Sequence, residues 1–328
     1  VIRYGSVCSG IEAATVAWHG LGWEPAFFSE IEKFPREVLA HHYPDVPLHG
    51  DFTTISENQY GPIDLLVGGT PCQSFSVAGL RKGLDDDRGN LALEFIKLAQ
   101  RERPRWVVWE NVPGVLSSNG GKDFGSFLGA LGEIGYGFAY RVLDAQYFGV
   151  AQRRRRVFVV GYLGDWRRAA AVLFERESLR GNPAPSRETR EEAAGATRAG
   201  AEVYEHHGQD SRTKELGELC TTVTAKYGTG GNNMPIVTAR MRGFGDYDCD
   251  GTASALKARD YKDATDLVAT QMAVRRLTPT ECERLQGFPD GYTNIKDKCP
   301  DGPRYKALGN SMAVPVMRWI GERIQQCP

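Results

Sequence analysis

The chain of 328 residues contains no Cys-x-x-Cys pair, and its seven cysteines (Cys8, Cys72, Cys220, Cys249, Cys282, Cys299 and Cys327) are odd in number and scattered. That spacing argues against both a disulfide framework and a zinc site, so each cysteine is read singly. His41, His42, His206 and His207 have no partners at telling spacings and read as surface or turn residues, so no metal is expected. No apolar run approaches the roughly 18 residues of a membrane span. The opening VIRYGSVCSG lacks the basic-then-apolar layout of a secretory signal, and the sequence therefore reads as cytoplasmic, without a membrane partner. An excess of one charge is also missing: the net charge is −1, so no global basic field points to a polyanion. What remains is the composition of a folded protein, 41% hydrophobic and 25% charged, at a length that suggests about two domains.

The first 165 residues alternate β-rich runs with helical patterns. RYGSVCS, EPAFFSE, IDLLVGG, RWVVWENV, FAYRVLDAQYFG and RRVFVVGYL read as strands. IEAATVAWHGLG, KFPREVLAHHY, NLALEFIKLAQRER and DFGSFLGALGEIGY read as the helices between them. Strands separated by helices imply right-handed crossovers and a largely parallel, doubly wound α/β sheet. Ligands bind such sheets at the carboxyl ends of strands. Cys8 to Ile11, Glu30, the Gly68–Gln73 stretch and Glu110 all fall there.

After Gly164 the composition shifts, and ERESLRGNPAPSRETREEAAGATRAG reads as a linker or mobile insertion. From Glu202 to about Ala269 short β runs are split by Gly- and Asp-rich turns. RRLTPTECERLQGFPDGYT then offers Thr278 as a helix N-cap, Pro279 at the first helical position and Glu281 as the capping-box acid. RYKALGNSMAVPVMRWIGERIQQC reads as a turn and a last amphipathic helix. The expected organisation is a catalytic domain over 1–165, a linker and β-rich domain over 166–285, and a C-terminal segment over 286–328 that rejoins the first.

The turn SVCSGIEAAT has one glycine where a dinucleotide fingerprint would show three. Glu30, at the end of the next strand, stands where a carboxylate grips ribose hydroxyls. With no Walker lysine and no second glycine turn, an adenosine-type ligand without a pyrophosphate fits better. Glu30 and Asp51 could equally serve as caps and turn-formers. Cys72, in GGTPCQSFSVAG, follows an apolar strand amid loop-formers, where a thiolate could act as a nucleophile; alone, it could be a packing residue. Glu110 ends an all-apolar strand, where burial raises a carboxyl pKa and suits it to acid work; alone, it could be a cap or ion-pair member. The run Arg153 to Arg156 could be a solvated face, but it leads directly into an apolar strand.

Together the ordered segments SGIEAAT, TPCQSFSVAG, ENV, QRRRR, RRLTPTECERLQGFP and RYKALGNSMAVP resemble the DNA cytosine-5 methyltransferase family, of bacterial or phage type. The resemblance implies a Rossmann-like class I methyltransferase sheet with an inserted, smaller β-rich target-recognition domain. It implies S-adenosylmethionine as cofactor, S-adenosylhomocysteine as product, and double-stranded DNA as partner. It implies that Cys72 attacks C6 of a flipped cytosine, Glu110 hydrogen-bonds or protonates N3, Arg156 holds the carbonyl side, and Arg154 supports Glu110 or the thiolate. Cys8, Ser9, Gly10 and Ile11 would line the methionine part of the cofactor, Glu30 its ribose, Ile31 the adenine face, and Asp51 with Phe52 the adenine edge. Pro71, Leu91 and Asn310 would complete that pocket. Gln73, Arg81, Lys82 and Arg88 would meet DNA from the loop after Cys72, and Lys226, Arg240, Arg242, Lys257 and Arg259 from the β-rich module. The first motif departs from the family in having Cys8 and Glu12 where an aromatic and a second glycine are usual. The resemblance leaves open a cognate restriction endonuclease or none, and implies a monomer. A tRNA-directed cytosine-5 methyltransferase and a non-catalytic DNA-binding protein that kept the fold are the alternatives. QSFSVAG after the Pro-Cys dipeptide and the β-rich insertion favour DNA, and retention of Cys72, Glu110, Arg154 and Arg156 favours catalysis.

Overall fold

The computed structural model describes residues 1–71, 91–174 and 277–327 in full, and the backbone of six short strands between residues 203 and 276. The described chain divides into two units. One comprises Val1–Phe148, Arg154–Pro185 and Asn310–Pro328; the other comprises Gly149–Arg153 and Ser186–Gly309.

The first unit is built on a seven-stranded sheet of order β3-β2-β1-β4-β5-β7-β6. Its strands are β1 (Arg3–Val7), β2 (Glu24–Ser29), β3 (Leu48–His49), β4 (Leu65–Gly68), β5 (Trp106–Asn111), β6 (Tyr136–Asp144) and β7 (Arg155–Leu163). β1 to β5 pair in parallel, and β7 runs antiparallel to both β5 and β6. The largely parallel sheet expected from the sequence is thus mixed at one edge. No crossover helix separates β6 from β7, so they can pair as an antiparallel neighbour pair. The helices are α1 (Ala13–Trp18), α2 (Lys33–His42), α3 (Leu91–Glu102), α4 (Lys122–Glu133), α5 (Trp166–Leu173) and, after the second unit's segment, α8 (Val314–Gln325). β5 is buried at all six positions, as a central strand covered on both faces must be. α3 buries Ala92, Leu93, Phe95, Ile96, Leu98 and Ala99, an apolar stripe at helical spacing that closes one face of the sheet. Trp18 is fully buried on α1, and its indole Nε1 donates to Met317 O on α8 at 2.8 Å. That bond ties the first helix to the last.

α5 lies beyond residue 165, where the sequence reading begins its linker. Ala169, Val172 and Leu173 are fully buried, and the helix packs on β6 and β7 within the first unit.

In the second unit β8 (Val203–His206), β9 (Thr213–Gly217), β10 (Met234–Thr238) and β13 (Val274–Arg276) form a four-stranded antiparallel sheet of order β13-β10-β8-β9. β11 (Arg240–Gly243) and β12 (Asp246–Asp248) form a hairpin. α6 (Pro279–Gln286) and α7 (Asp301–Asn310) follow. α6 starts with the capping box expected from its sequence: Glu281 N donates to Thr278 Oγ1 at 3.2 Å, and Thr278 N donates to Glu281 Oε2 at 2.7 Å.

Candidate active site

The strand order reverses direction between β1 and β4, which makes their carboxyl ends the place where an open α/β sheet leaves a crevice. A cavity lies there. Its wall includes Ser6 to Gly10, Glu12, Ala13 and Ala14 from the first strand–turn–helix, Val67 and Gly69 from β4, Glu110 from β5, and Asn310 to Met312. Gly69 keeps this approach open: a Cβ there would stand 3.1 Å from Glu110 Oε2 and 3.2 Å from Met312 Cε, a tight fit.

The turn after β1 takes left-handed backbone at Cys8 (φ 49°), Gly10 (φ 55°) and Glu12 (φ 61°). Ser9 Oγ donates to Ser6 O at 3.0 Å and accepts from Ser29 N at 3.1 Å, fixing the turn to β2. Burial, with Glu30 and Asp51 nearby, pushes the Cys8 thiol up to about 12, so it stays protonated and inert at neutral pH. Glu30 is buried and accepts three backbone N–H groups at 2.8 Å: Gly10 to Oε2, and Ile31 and Glu32 to Oε1. Both readings of Glu30 are therefore compatible, since it caps local amides while standing at the crevice. Ile31 is 72% exposed beside it. Asp51 is exposed and caps a short turn by accepting from Thr53 N at 3.0 Å. Phe52 is buried in the core. Ile11 is fully buried and does not line the cavity. Leu91 packs against the core from the start of α3, Pro71 is exposed, and Asn310 is an exposed residue on the cavity wall.

The second cluster gathers on β5 and β7. Arg156 Nε stands 3.0 Å from Glu110 Oε1. That oxygen is buried and receives no well-directed hydrogen bond among the described residues. Burial raises the Glu110 pKa, and Arg156 and Arg154 hold the rise down. Arg154 is 2% exposed; its N–H donates to Asp144 Oδ1 at 3.0 Å and its guanidinium to Ser311 O at 2.6 Å. Burial and the like charge of Arg156 push it down to about 9, against the pull of Glu110, which leaves it charged at neutral pH. Along the run Arg153 to Arg156, Arg153 and Arg155 are exposed while Arg154 is buried and Arg156 reaches Glu110. The alternation of β structure sorts one arginine run into two faces. Gln152, just before it, is fully buried in the second unit, donating to Leu285 O at 2.8 Å.

Cys72, Gln73, Arg81, Lys82, Arg88, Lys226, Lys257 and Arg259 lie outside the described residues. Arg240 and Arg242 fall on β11, with Arg240 paired opposite Asp248 in the hairpin.

Other residues of the site were not singled out from the sequence. Asn111 Nδ2 donates to Thr70 O at 3.0 Å, and Trp109 Nε1 donates to Thr70 Oγ1 at 2.9 Å. Ser311 and Met312 flank Asn310 on the cavity wall. Glu12, read only as a departure from a motif, is a buried carboxylate on the same wall. Nothing local marks Asn111, Trp109, Ser311 or Met312, because the residues they meet lie far away in the chain; Glu12 bonds its neighbours Ser6 and Thr15, and only the fold puts it on the cavity wall.

A family model described as C-5 cytosine-specific DNA methylase matches residues 2–326. Among curated relatives, a protein of Escherichia phage P1 named DNA N-6-adenine-methyltransferase is 38% identical over 98% of this chain, which spans 61% of that protein's length. Type II methyltransferase M.SsoII of Shigella sonnei is 31% identical over 91% of this chain and 73% of its own. Among solved structures, the Dnmt2 methyltransferase of S. pombe superposes with a TM-score of 0.69 at 18% identity, over 99% of each chain. That likeness is one of fold, a Rossmann-like methyltransferase sheet.

Proposed function

The chain belongs to the C-5 cytosine-specific DNA methylase family, and from that premise we propose that it methylates carbon 5 of cytosine in a specific double-stranded DNA sequence. The observation that carries the reading is the pairing of Glu110 with Arg156, with Arg154 beside them, at the edge of the switch-point cavity. A carboxyl whose pKa is raised by burial, flanked by fixed cations, suits proton donation to a ring nitrogen as charge develops there.

The chemistry of the cavity wall supports a sulfonium nucleoside as donor. Its wall carries hydroxyls, a left-handed glycine turn and carboxylates, and no lysine or arginine among the described residues. S-Adenosylmethionine supplies the methyl group as an electrophilic sulfonium. Ser9 and Gly10 would face the amino-acid end, Glu30 the ribose diol, Ile31 the base, and Asn310 the opposite wall. C5 of cytosine is a poor nucleophile until a thiolate adds to C6. Cys72 would make that addition, Glu110 would give its proton to N3, Arg156 would hold the carbonyl oxygen, and Arg154 would keep Glu110 in place. Loss of the C5 proton to a solvent base, expulsion of the Cys72 thiolate and return of the N3 proton to Glu110 would then restore the aromatic ring. A paired base cannot reach such a site, so the target would be flipped out of the duplex. Arg81, Lys82 and Arg88 would hold phosphates, and the second unit, with Arg240 and Arg242, would choose the sequence. A passage from the catalytic to the recognition unit after α5 and a return at Asn310 belong to the same proposal.

The name of the phage P1 relative raises adenine N6 as a second target. An exocyclic amine needs no thiol and no proton at a ring nitrogen, so the Glu110–Arg156 pair favours cytosine. The test incubates the protein and its Cys72→Ala variant with labelled donor and genomic DNA, tRNA, or DNA carrying 5-fluorocytosine. The expected result is 5-methylcytosine in DNA and a covalent 5-fluorocytosine adduct, both absent from the variant. N6-Methyladenine as sole product, label on tRNA alone, or no adduct would overturn the reading.

A further inference from the structure

Glu12 lines the switch-point cavity, yet it is only 1% exposed. It sits in left-handed backbone, an uncommon conformation for a non-glycine residue. Its Oε1 accepts from Ser6 Oγ, and Oε2 accepts from Thr15 Oγ1 at 2.6 Å and Thr15 N at 3.2 Å. Every partner is neutral. The groups around it are Tyr4, whose hydroxyl bonds Thr15 Oγ1 at 2.7 Å, and the hydroxyls of Ser6 and Ser9. The other titratable groups on the cavity wall are Cys8 and Glu110, and Glu30 stands behind Gly10. Among the described residues no lysine, arginine or histidine pairs with Glu12. A buried carboxylate without a cation is costly to keep ionised, and one placed on a ligand cavity can take its cation from the ligand.

We propose that Glu12 is the counter-charge for the cationic donor, and that it distinguishes the sulfonium donor from its thioether product. The inference rests on the reading above that S-adenosylmethionine is the donor. Donor and product share the ammonium, carboxylate and nucleoside and differ by one methyl and one positive charge. Hydrogen bonds to the shared groups cannot tell them apart strongly; a buried carboxylate can. Burial raises the Glu12 pKa against the hydrogen bonds from Ser6, Thr15 and Ser9. Below that pKa, donor binding therefore has to expel the carboxyl proton to solvent. Ser9 Oγ lies 3.1 Å from Ser6 Oγ, which bonds Glu12, giving the proton a two-hydroxyl path to the cavity. When the methyl group leaves, sulfur keeps the bonding electron pair and becomes neutral, and Glu12 takes a proton back. Product then loses the attraction that held the donor.

Titration calorimetry of the whole protein with S-adenosylmethionine and with S-adenosylhomocysteine, in two buffers of different ionisation enthalpy, tests this. Donor binding should release protons and strengthen as pH rises, while product binding should do neither. Glu12→Gln keeps the shape and should weaken donor binding about tenfold, the equivalent of one pKa unit, with product binding unchanged. Equal proton counts for both ligands, or a variant with the wild-type preference, would overturn the role of Glu12 and leave the donor assignment standing. Binding of neither ligand by the wild-type protein would overturn both. If the variant fails to fold, the wild-type proton counts decide alone.

Discussion

Asn111 donates its side-chain amide to the carbonyl oxygen of Thr70 at 3.0 Å, so the strand end that carries Glu110 also fixes the chain two residues ahead of Cys72. Asn111 Oδ1 meanwhile accepts from Val112 N at 2.9 Å, so both ends of the amide are used. An aspartate could keep the second bond and lose the first.

Asn111→Asp is therefore expected to act on positioning. The prediction is a fall in kcat of about 10²-fold, the scale of a misplaced reacting group, with the KM for DNA little changed. Steady-state kinetics beside a melting curve would check it. A rise in KM at constant kcat would assign Asn111 to DNA binding instead.

The Glu110–Arg156 pair makes a pH prediction. In the proposed mechanism the protonated carboxyl would be the form that gives a proton to N3, and because burial raises its pKa, activity should persist to higher pH than an ordinary glutamate would allow. Activity that depends on it should decline as pH rises through that raised value. Arg156 lowers the Glu110 pKa, so Arg156→Ala should move the declining limb to higher pH while reducing overall activity. Glu110→Gln should cost about 10²-fold or more and remove the limb, since the amide does not titrate. A pH–rate profile of the three proteins decides the matter; an unmoved limb in Glu110→Gln would assign it to another group.

Gly321 lies inside α8, where alanine would ordinarily gain about 1 kcal/mol of helix propensity. Its Cβ would, however, stand 2.4 Å from Nε1 and 2.5 Å from Cδ1 of the fully buried Trp18. The indole is tied to Met317 O and cannot move aside without losing that bond. Gly321→Ala is expected to destabilise the protein by about 1–3 kcal/mol in net terms. Thermal or denaturant unfolding reads this directly, and a stabilised variant would contradict it.

In the second unit, the fully buried Glu283 accepts from Gly291 N at 2.7 Å, from Thr293 N at 2.8 Å and from Thr293 Oγ1, and pairs with Arg304 at 3.3 Å. Removing one partner of a buried pair leaves the other charge exposed to a low dielectric. Glu283→Gln should cost about 3 kcal/mol, and denaturant unfolding should show it as a lower midpoint at unchanged slope.

The strands and helices of the first unit were legible because their signals are local. The apolar stripe of α3 and the buried run of β5 each lie within one element. The capping box of α6 spans only four residues, Thr278 to Glu281, and folds as its sequence reads. The order of the family segments likewise needs no third dimension. α5 escaped because the polar stretch after it masked eight residues whose apolar face is short.

The sequence by itself determined which residue types are present and in what order: Cys72 behind a proline, Glu110 at a strand end, four consecutive arginines leading into β7. Only the tertiary structure decided their company. It turned β7 against the parallel strands, brought the guanidinium of Arg154 to the carbonyl of Ser311, and occupied Glu30 with three amides. It also put the carboxylate of Glu12 on the wall of the crevice between β1 and β4 with only neutral partners. The physical reason is the range of the interactions. Helix caps and strand alternation are settled within a few residues, whereas the desolvation and pairing of a charge depend on which distant segments close around it.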